Sequence, residues 1–136
     1  MSDLVLDASL ALQWFLEDET DRDYSLAVLR SLKTKYALVP VLWFYEVGNG
    51  LLMAQRRKRI TRKQADGFLK HLLVLPINAR EQTASEILSF PNLAQQYGLT
   101  NYDTAYLALA QATRLPLATN DSALREAARA ASVALF

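Results

Sequence analysis

The chain has no cysteine among its 136 residues. That absence excludes a disulfide scaffold, a thiolate metal site and a cysteine nucleophile. It fits a reducing compartment. Histidine occurs once, as His71, which leaves little for zinc or for imidazole acid–base chemistry. Glycine and proline are scarce, four of each, so no collagen-like or low-complexity architecture is available. Neither sign of charge dominates: 15 Lys and Arg face 14 Asp and Glu, a formal net charge of +1. No global field draws such a chain onto nucleic acid or a membrane, and any such partner has to be held by a local patch. Uncharged apolar runs of about 18 residues are missing, so no membrane span is expected. Met1-Ser2-Asp3-Leu4 has no basic n-region, so a secretory signal is not expected either, and the expected location is cytoplasmic.

What is present is a globular composition, 51% hydrophobic and 21% charged. A chain of this length forms one domain, residues 1–136, with a core large enough to need no metal or disulfide for folding. Leu4-Val5-Leu6 is a short apolar run that reads as a buried strand ending at Asp7. Helical spacing follows from Ala8 to Leu16. Thr20-Asp21-Arg22-Asp23 has the form of a capping box opening a helix toward Leu32. Ala37–Pro40 reads as a second strand and Leu42 to Arg57 as a long helix. Thr61-Arg62-Lys63-Gln64 is another capping box, for a helix toward Leu72. Leu73 to Ile77 reads as the third strand. Arg80 to Tyr97 is expected to be helical but interrupted at Pro91, with Gly98 as its stop. A helix over Asn101–Thr113, a strand at Leu117-Ala118-Thr119, a helix over Ser122–Ala131 and a final strand over Val133–Phe136 complete the chain. Buried strands alternating with amphipathic helices predict an α/β fold with a mainly parallel sheet, whose ligand site lies beyond the carboxyl ends of the strands.

That rule singles out four acids. Asp7 follows the first strand and Asp121 the fourth. Helix capping is the plain structural reading of each. Asp103 lies three residues after Thr100, again compatible with a capping box, but in apolar surroundings. Glu46 sits inside Val41-Leu42-Trp43-Phe44-Tyr45-Glu46-Val47-Gly48-Asn49-Gly50-Leu51, a helix apolar almost all round, with Asn49 three residues on along the same face. A pair with a buried Arg is its bland explanation. Several carboxylates in one pocket repel one another and raise each other's pKa, and a divalent cation removes that conflict. Oxygen ligands without cysteine suit Mg²⁺ or Mn²⁺, and carboxylate-held ions of this kind suit phosphoryl chemistry.

Four motifs in this order, Val5-Leu6-Asp7-Ala8-Ser9, Pro40 to Leu51, Leu99 to Ala110, and Leu117-Ala118-Thr119-Asn120-Asp121, resemble the PIN-domain family. Within it they resemble the VapC-type toxins of toxin–antitoxin pairs, over essentially the whole chain. The resemblance implies a three-layer α/β/α domain with a five-stranded sheet. It implies a metal-dependent endoribonuclease with an acidic quartet, which carries over to Asp7, Glu46, Asp103 and Asp121. Asp7, Asp103 and Asp121 would hold one or two Mg²⁺ or Mn²⁺ ions. Glu46 would be a ligand or orient the attacking water. Ser9, Asn49 and Thr119 match supporting positions. Ser122 and Ala123 stand where some relatives carry a further acid, so no fifth carboxylate is expected. The resemblance also implies a small antitoxin that points a basic side chain at the acidic pocket, and a homodimer. A non-catalytic module that keeps the fold and binds RNA or protein is the alternative.

RNA has to be held by local charge, and Arg56-Arg57-Lys58-Arg59 is the densest basic run. A solvated helix end is its competing reading. Glu17-Asp18-Glu19 reads as a solvated acidic loop or a face for a basic partner. His71 reads as structural. Trp14, Trp43, Tyr102 and Tyr106 read as core or interface aromatics rather than base-stacking platforms.

Overall fold

Leu4, Val5 and Leu6 are each completely buried, so the strand they form, β1 (Leu4–Leu6), is covered on both faces. This explains why it is apolar without alternation. The computed structural model describes all 136 residues. After β1 come α1 (Ala8–Phe15), α2 (Asp23–Ser31), β2 (Ala37–Pro40), α3 (Leu42–Arg56), α4 (Arg62–Val74) and β3 (Ile77–Arg80). Then follow α5 (Ala84–Tyr97), α6 (Asn101–Thr113), β4 (Leu117–Ala118) and α7 (Ser122–Ala130). The four strands form one parallel sheet in the order β3-β2-β1-β4. Helices cover both of its faces, giving a three-layer α/β/α domain. No helix is long and apolar enough to cross a membrane.

The expected fifth strand shrinks to a single bridge between Leu117 and Leu135. Two backbone bonds flank it, Leu117 N–H to Ala134 at 2.8 Å and Phe136 N–H to Leu117 at 2.9 Å. β4 itself has only two residues, too short to template a full partner. The third strand lies later than expected. Leu73 and Val74 belong to the last turn of α4, while β3 reads Ile-Asn-Ala-Arg. β3 is an edge strand, paired only with β2; Ile77 alone packs against the core, and Asn78, Ala79 and Arg80 are exposed, so the strand lacks a sustained apolar signal.

The Thr61 box forms as expected: its hydroxyl accepts from Gln64 N–H and the Gln64 side chain accepts from Thr61 N–H. The Thr20 box does not form. α2 begins at Asp23 behind Arg22, whose side chain instead donates to the carbonyls of Gln13 and Trp14 and ties the loop to α1. The fifth helix is not broken at Pro91 and starts later than Arg80, at a capping box of Thr83 and Glu86. Pro91 and Ile87 are both exposed, so the carbonyl that loses its amide partner is solvated.

The core joins both helical layers to the sheet, with Trp43, Leu51, Tyr106, Leu107 and Leu124 among its fully buried side chains. Each buried aliphatic chain contributes about 1.5–3 kcal/mol. Helix α1 packs on α2 and α3, and α6 packs on α5, α7, β1 and β2. Gly50 lets α1 approach α3: a Cβ there would lie 2.5 Å from both methyl carbons of Leu12.

The chain builds outward from β1 to β2 and β3, then returns to place β4 on the other side of β1. The switch point therefore lies between β1 and β4. Ligand sites of open parallel sheets form beyond the carboxyl ends of strands at such a point. Asp7 directly follows β1, and Thr119 directly follows β4.

Candidate active site

A cleft of about 370 Å³ opens there, lined by Asp7, Ser9, Glu46, Asn49, Asp103 and Asp121 together with Ala8, Leu12 and Gly50. All four candidate acids reach it, each from a different element.

Asp7 occupies the N-cap position of α1, but its side chain makes no capping bond. The plain structural reading of this residue therefore fails. Its carboxylate, in a residue only 6% exposed, accepts Ser9 Oγ and Thr119 Oγ1 at 2.7 Å each, both on Oδ2. Burial pushes its pKa up; the two hydroxyls oppose that rise and the nearby Asp121 adds to it. Asp121 does cap its helix, accepting Leu124 N–H at 2.8 Å through Oδ2. Capping and a place in the cleft thus coexist in one side chain. Asp121 N–H also donates to Thr119 Oγ1 at 3.1 Å, so Thr119 braces both strand-end acids from behind.

Asp103 enters from the first turn of α6, where Thr100 caps the helix by accepting Asp103 N–H at 3.1 Å. Burial raises its pKa, and Asp121 and Asp7 raise it further. Glu46 has no basic partner, so the buried-Arg explanation is excluded. Its partner is Tyr106, whose hydroxyl donates to Oε1 at 2.5 Å. Burial raises the Glu46 pKa, the Tyr106 bond lowers it, and Asp7 and Asp103 raise it again. Burial and the Glu46 carboxylate push the Tyr106 phenol well above its ordinary range, so it stays a donor. Asn49 is exposed at the rim, one helical turn beyond Glu46.

The donor set fits a hard divalent cation: the polar side chains lining the cleft are four carboxylates, one hydroxyl and one carboxamide, and no Lys or Arg is among them. The carboxylates line the cleft without converging into a ready-made shell of three ligands. An ion bound partly through its own waters, as Mg²⁺ prefers, suits such spacing.

The basic run is divided. Arg59 is engaged by Asp18 at 2.7 Å and Glu19 at 3.1 Å, so the acidic loop is an internal partner rather than a free face. Arg57 and Arg59 line a groove of about 340 Å³ between α1 and α3, with Gln13, Met53 and Glu19. That groove shares Ser9, Leu12 and Gly50 with the acidic cleft and so continues it. Lys58 faces a separate depression with Arg62 and Gln64, and Arg56 lines neither of these. His71 is exposed on α4, away from the cleft.

Sequence reasoning missed Tyr106 as a polar participant and Gln13 as a groove residue. The signal for Tyr106 was its position three residues after Asp103, on the same helical face.

Residues 4–130 match the family model described as PIN domain. No curated protein matches the sequence significantly. Among solved structures, PAE2754 from Pyrobaculum aerophilum is similar at a TM-score of 0.69 and 26% identity, over 90% of this chain and 77% of that one. A toxin–antitoxin complex from Klebsiella pneumoniae gives 0.62 and 20%, over 88% of each chain. VapBC2 from Rickettsia felis, bound to a DNA fragment from its promoter, gives 0.68 and 16%, over 98% and 96%.

Proposed function

We propose, from the premise that this chain belongs to the PIN-domain family, that it is a divalent-metal-dependent endoribonuclease and the toxin of a toxin–antitoxin pair. One observation carries the catalytic part. Four carboxylates from four elements line one cleft at the switch point of the sheet, and none has a cationic partner. A purely structural cluster of this kind is costly, because like charges beside a buried carboxylate disfavour the ionised state. A bound Mg²⁺ or Mn²⁺ supplies the missing positive charge and stabilises negative charge on a phosphate.

The chain's own residues then have distinct tasks. Asp7, Asp103 and Asp121 hold the ion, directly or through its waters. Ser9 and Thr119 keep Asp7 Oδ2 engaged and so fix the direction of the other oxygen. Glu46 and Asn49, adjacent on one face of α3, orient water at the attacked phosphorus. No side chain acts as a nucleophile. RNA enters along the α1–α3 groove, where Gln13 and Arg57 meet the backbone beyond the cleft. Arg59 takes a lesser share because Asp18 and Glu19 already engage it.

The partner assignment draws on the similar structures, among them the toxin–antitoxin complex. A cleft with four acids and no internal cation suits occlusion by a basic side chain of a small antitoxin. Homodimerisation suits the exposed apolar side chains on the helices, Leu73 and Val74 on α4 and Leu88 on α5 among them.

Induced expression in a bacterial host tests the toxin and nuclease parts together. Wild-type protein should arrest growth and fragment RNA, and Asp7→Asn at equal expression should do neither. Unimpaired growth and intact RNA in both strains would contradict the proposal.

A further inference from the structure

We propose that Tyr106 is a positioning residue of the cleft, whose hydroxyl fixes the carboxylate of Glu46 so that one oxygen is engaged by the protein and the other is kept for metal or water. The inference rests on the nuclease reading of the cleft and extends it to a residue of the hydrophobic core.

Tyr106 is completely buried, and its hydroxyl reaches Glu46 Oε1 at 2.5 Å. A phenylalanine would fill the same space in a purely apolar core, so the hydroxyl is the informative atom. A buried tyrosine hydroxyl needs an acceptor, and here the acceptor is a residue of the cleft. The bond spans 60 positions and links α6 to α3. α6 thereby carries Asp103 and, one turn later, the anchor of Glu46, so the two carboxylates are set relative to each other by one rigid element.

The same device serves Asp7, where two hydroxyls, Ser9 and Thr119, share Oδ2. In both cases a neutral donor does what a salt bridge does elsewhere. An Arg or Lys would hold the carboxylate equally well but would neutralise it. A hydroxyl orients it and leaves its charge for the ligand. Engaging one oxygen also disfavours bidentate coordination, which suits a small octahedral ion better than a large one such as Ca²⁺.

The test compares wild type, Tyr106→Phe, Glu46→Gln and the double variant. It reads thermal stability, Mn²⁺ affinity by electron paramagnetic resonance, and kcat and KM for RNA cleavage. Partners that orient metal ligands typically contribute about tenfold or more to metal affinity or activity. Tyr106→Phe should lower kcat and Mn²⁺ affinity by about that factor with KM for RNA unchanged. Adding it to Glu46→Gln should change neither further. A role in packing alone predicts a shift in melting temperature with Mn²⁺ affinity and kcat intact, and that result overturns the inference. So does a loss of equal size in the Glu46→Gln background. In case Tyr106→Phe fails to fold, the wild type is titrated with Mg²⁺ while the ring resonance of Tyr106 is followed by NMR. A shift that tracks metal occupancy supports the inference, and an unmoved resonance at saturation overturns it. A wild type that neither binds Mn²⁺ nor cleaves RNA overturns the nuclease reading and this inference with it. A competent wild type that Tyr106→Phe matches in every readout overturns the inference alone.

Discussion

Thr119 Oγ1 donates to Asp7 Oδ2 at 2.7 Å, joining the ends of two adjacent parallel strands across 112 positions of sequence. The hydroxyl also accepts the Asp121 N–H at 3.1 Å. Thr119 is completely buried, so no water can replace it. Thr119→Val, nearly the same shape, should cost about 1–3 kcal/mol of stability, the penalty for leaving buried polar groups without partners. Ser9→Ala should cost less, because Ser9 is partly exposed and water can take its place. Urea unfolding of the two variants measures the difference. Equal effects would mean that burial at Thr119 does not control the bond.

The cleft should make the metal-free protein sensitive to pH in an unusual direction. Asp7 and Asp103 have pKa values raised above the ordinary 3.8, and Glu46 above 4.5. The folded state therefore binds these protons more tightly than the unfolded chain does. Their contribution to stability is fully present below the ordinary values and is lost as pH rises through the raised ones. Asp18 works the other way, since Arg59 lowers its pKa. The difference between wild type and Asp7→Asn isolates the cleft. In EDTA, the wild type should lose stability relative to the variant as pH rises from about 4 toward neutrality. Parallel melting-temperature profiles would contradict this.

Metal should reverse that loss. At neutral pH, Mg²⁺ or Mn²⁺ should raise the melting temperature of the wild type, since a ligand that binds only the folded state stabilises it by mass action. The rise should be smaller in mildly acidic buffer, where protons compete for the same oxygens. Asp7→Asn keeps a carbonyl that can accept from Ser9 and Thr119, so it should fold, and it should show little response to metal. An identical response in the variant would remove Asp7 from the metal site.

Arg57 and Arg59 should separate by function although they are two residues apart. Arg57 makes no ion pair, whereas Arg59 makes two hydrogen bonds to Asp18 and one to Glu19. Arg57→Ala should weaken RNA binding and reduce the salt dependence of affinity by about one unit of slope. Arg59→Ala should affect RNA less and should speed hydrogen exchange in the loop after α1, which it ties to the turn between α3 and α4. Equal losses in RNA affinity would show that the loop releases Arg59 to the substrate.

The parts of the fold legible in the sequence are those where local chemistry and burial agree. Leu4-Val5-Leu6 is buried on both faces and reads as a strand from composition alone. The Thr61–Gln64 box satisfies its amides with its own side chains and reads equally well. Legibility fails where tertiary context decides. Leu73 and Val74 have strand-like composition, yet they lie exposed on the last turn of α4, and β3 follows in a polar segment that only its pairing with β2 makes a strand. The Thr20 motif competes with Arg22, whose bonds to Gln13 and Trp14 no local pattern announces. In the cleft, the acids were legible because Asp7 and Asp121 end strands and Glu46 interrupts an apolar helix. Tyr106 was not, because a buried aromatic and a buried donor look the same in sequence. The split of the basic run was equally hidden, since it depends on a loop 41 residues away.

Whether the acidic cleft is a metal-dependent nuclease site is decided by cleavage of a mixed RNA pool by the purified, partner-free protein, with Mg²⁺ or Mn²⁺ and with EDTA. Asp7→Asn and Asp103→Asn, purified identically and shown to be folded, run beside it. Cleavage should be metal-dependent in the wild type, abolished by EDTA and reduced at least about 10²-fold in both variants, the scale of losing one preorganised electrostatic group. Cleavage that persists in the variants, or a folded wild type that binds the metal and leaves every RNA intact, would contradict this assignment of the cleft.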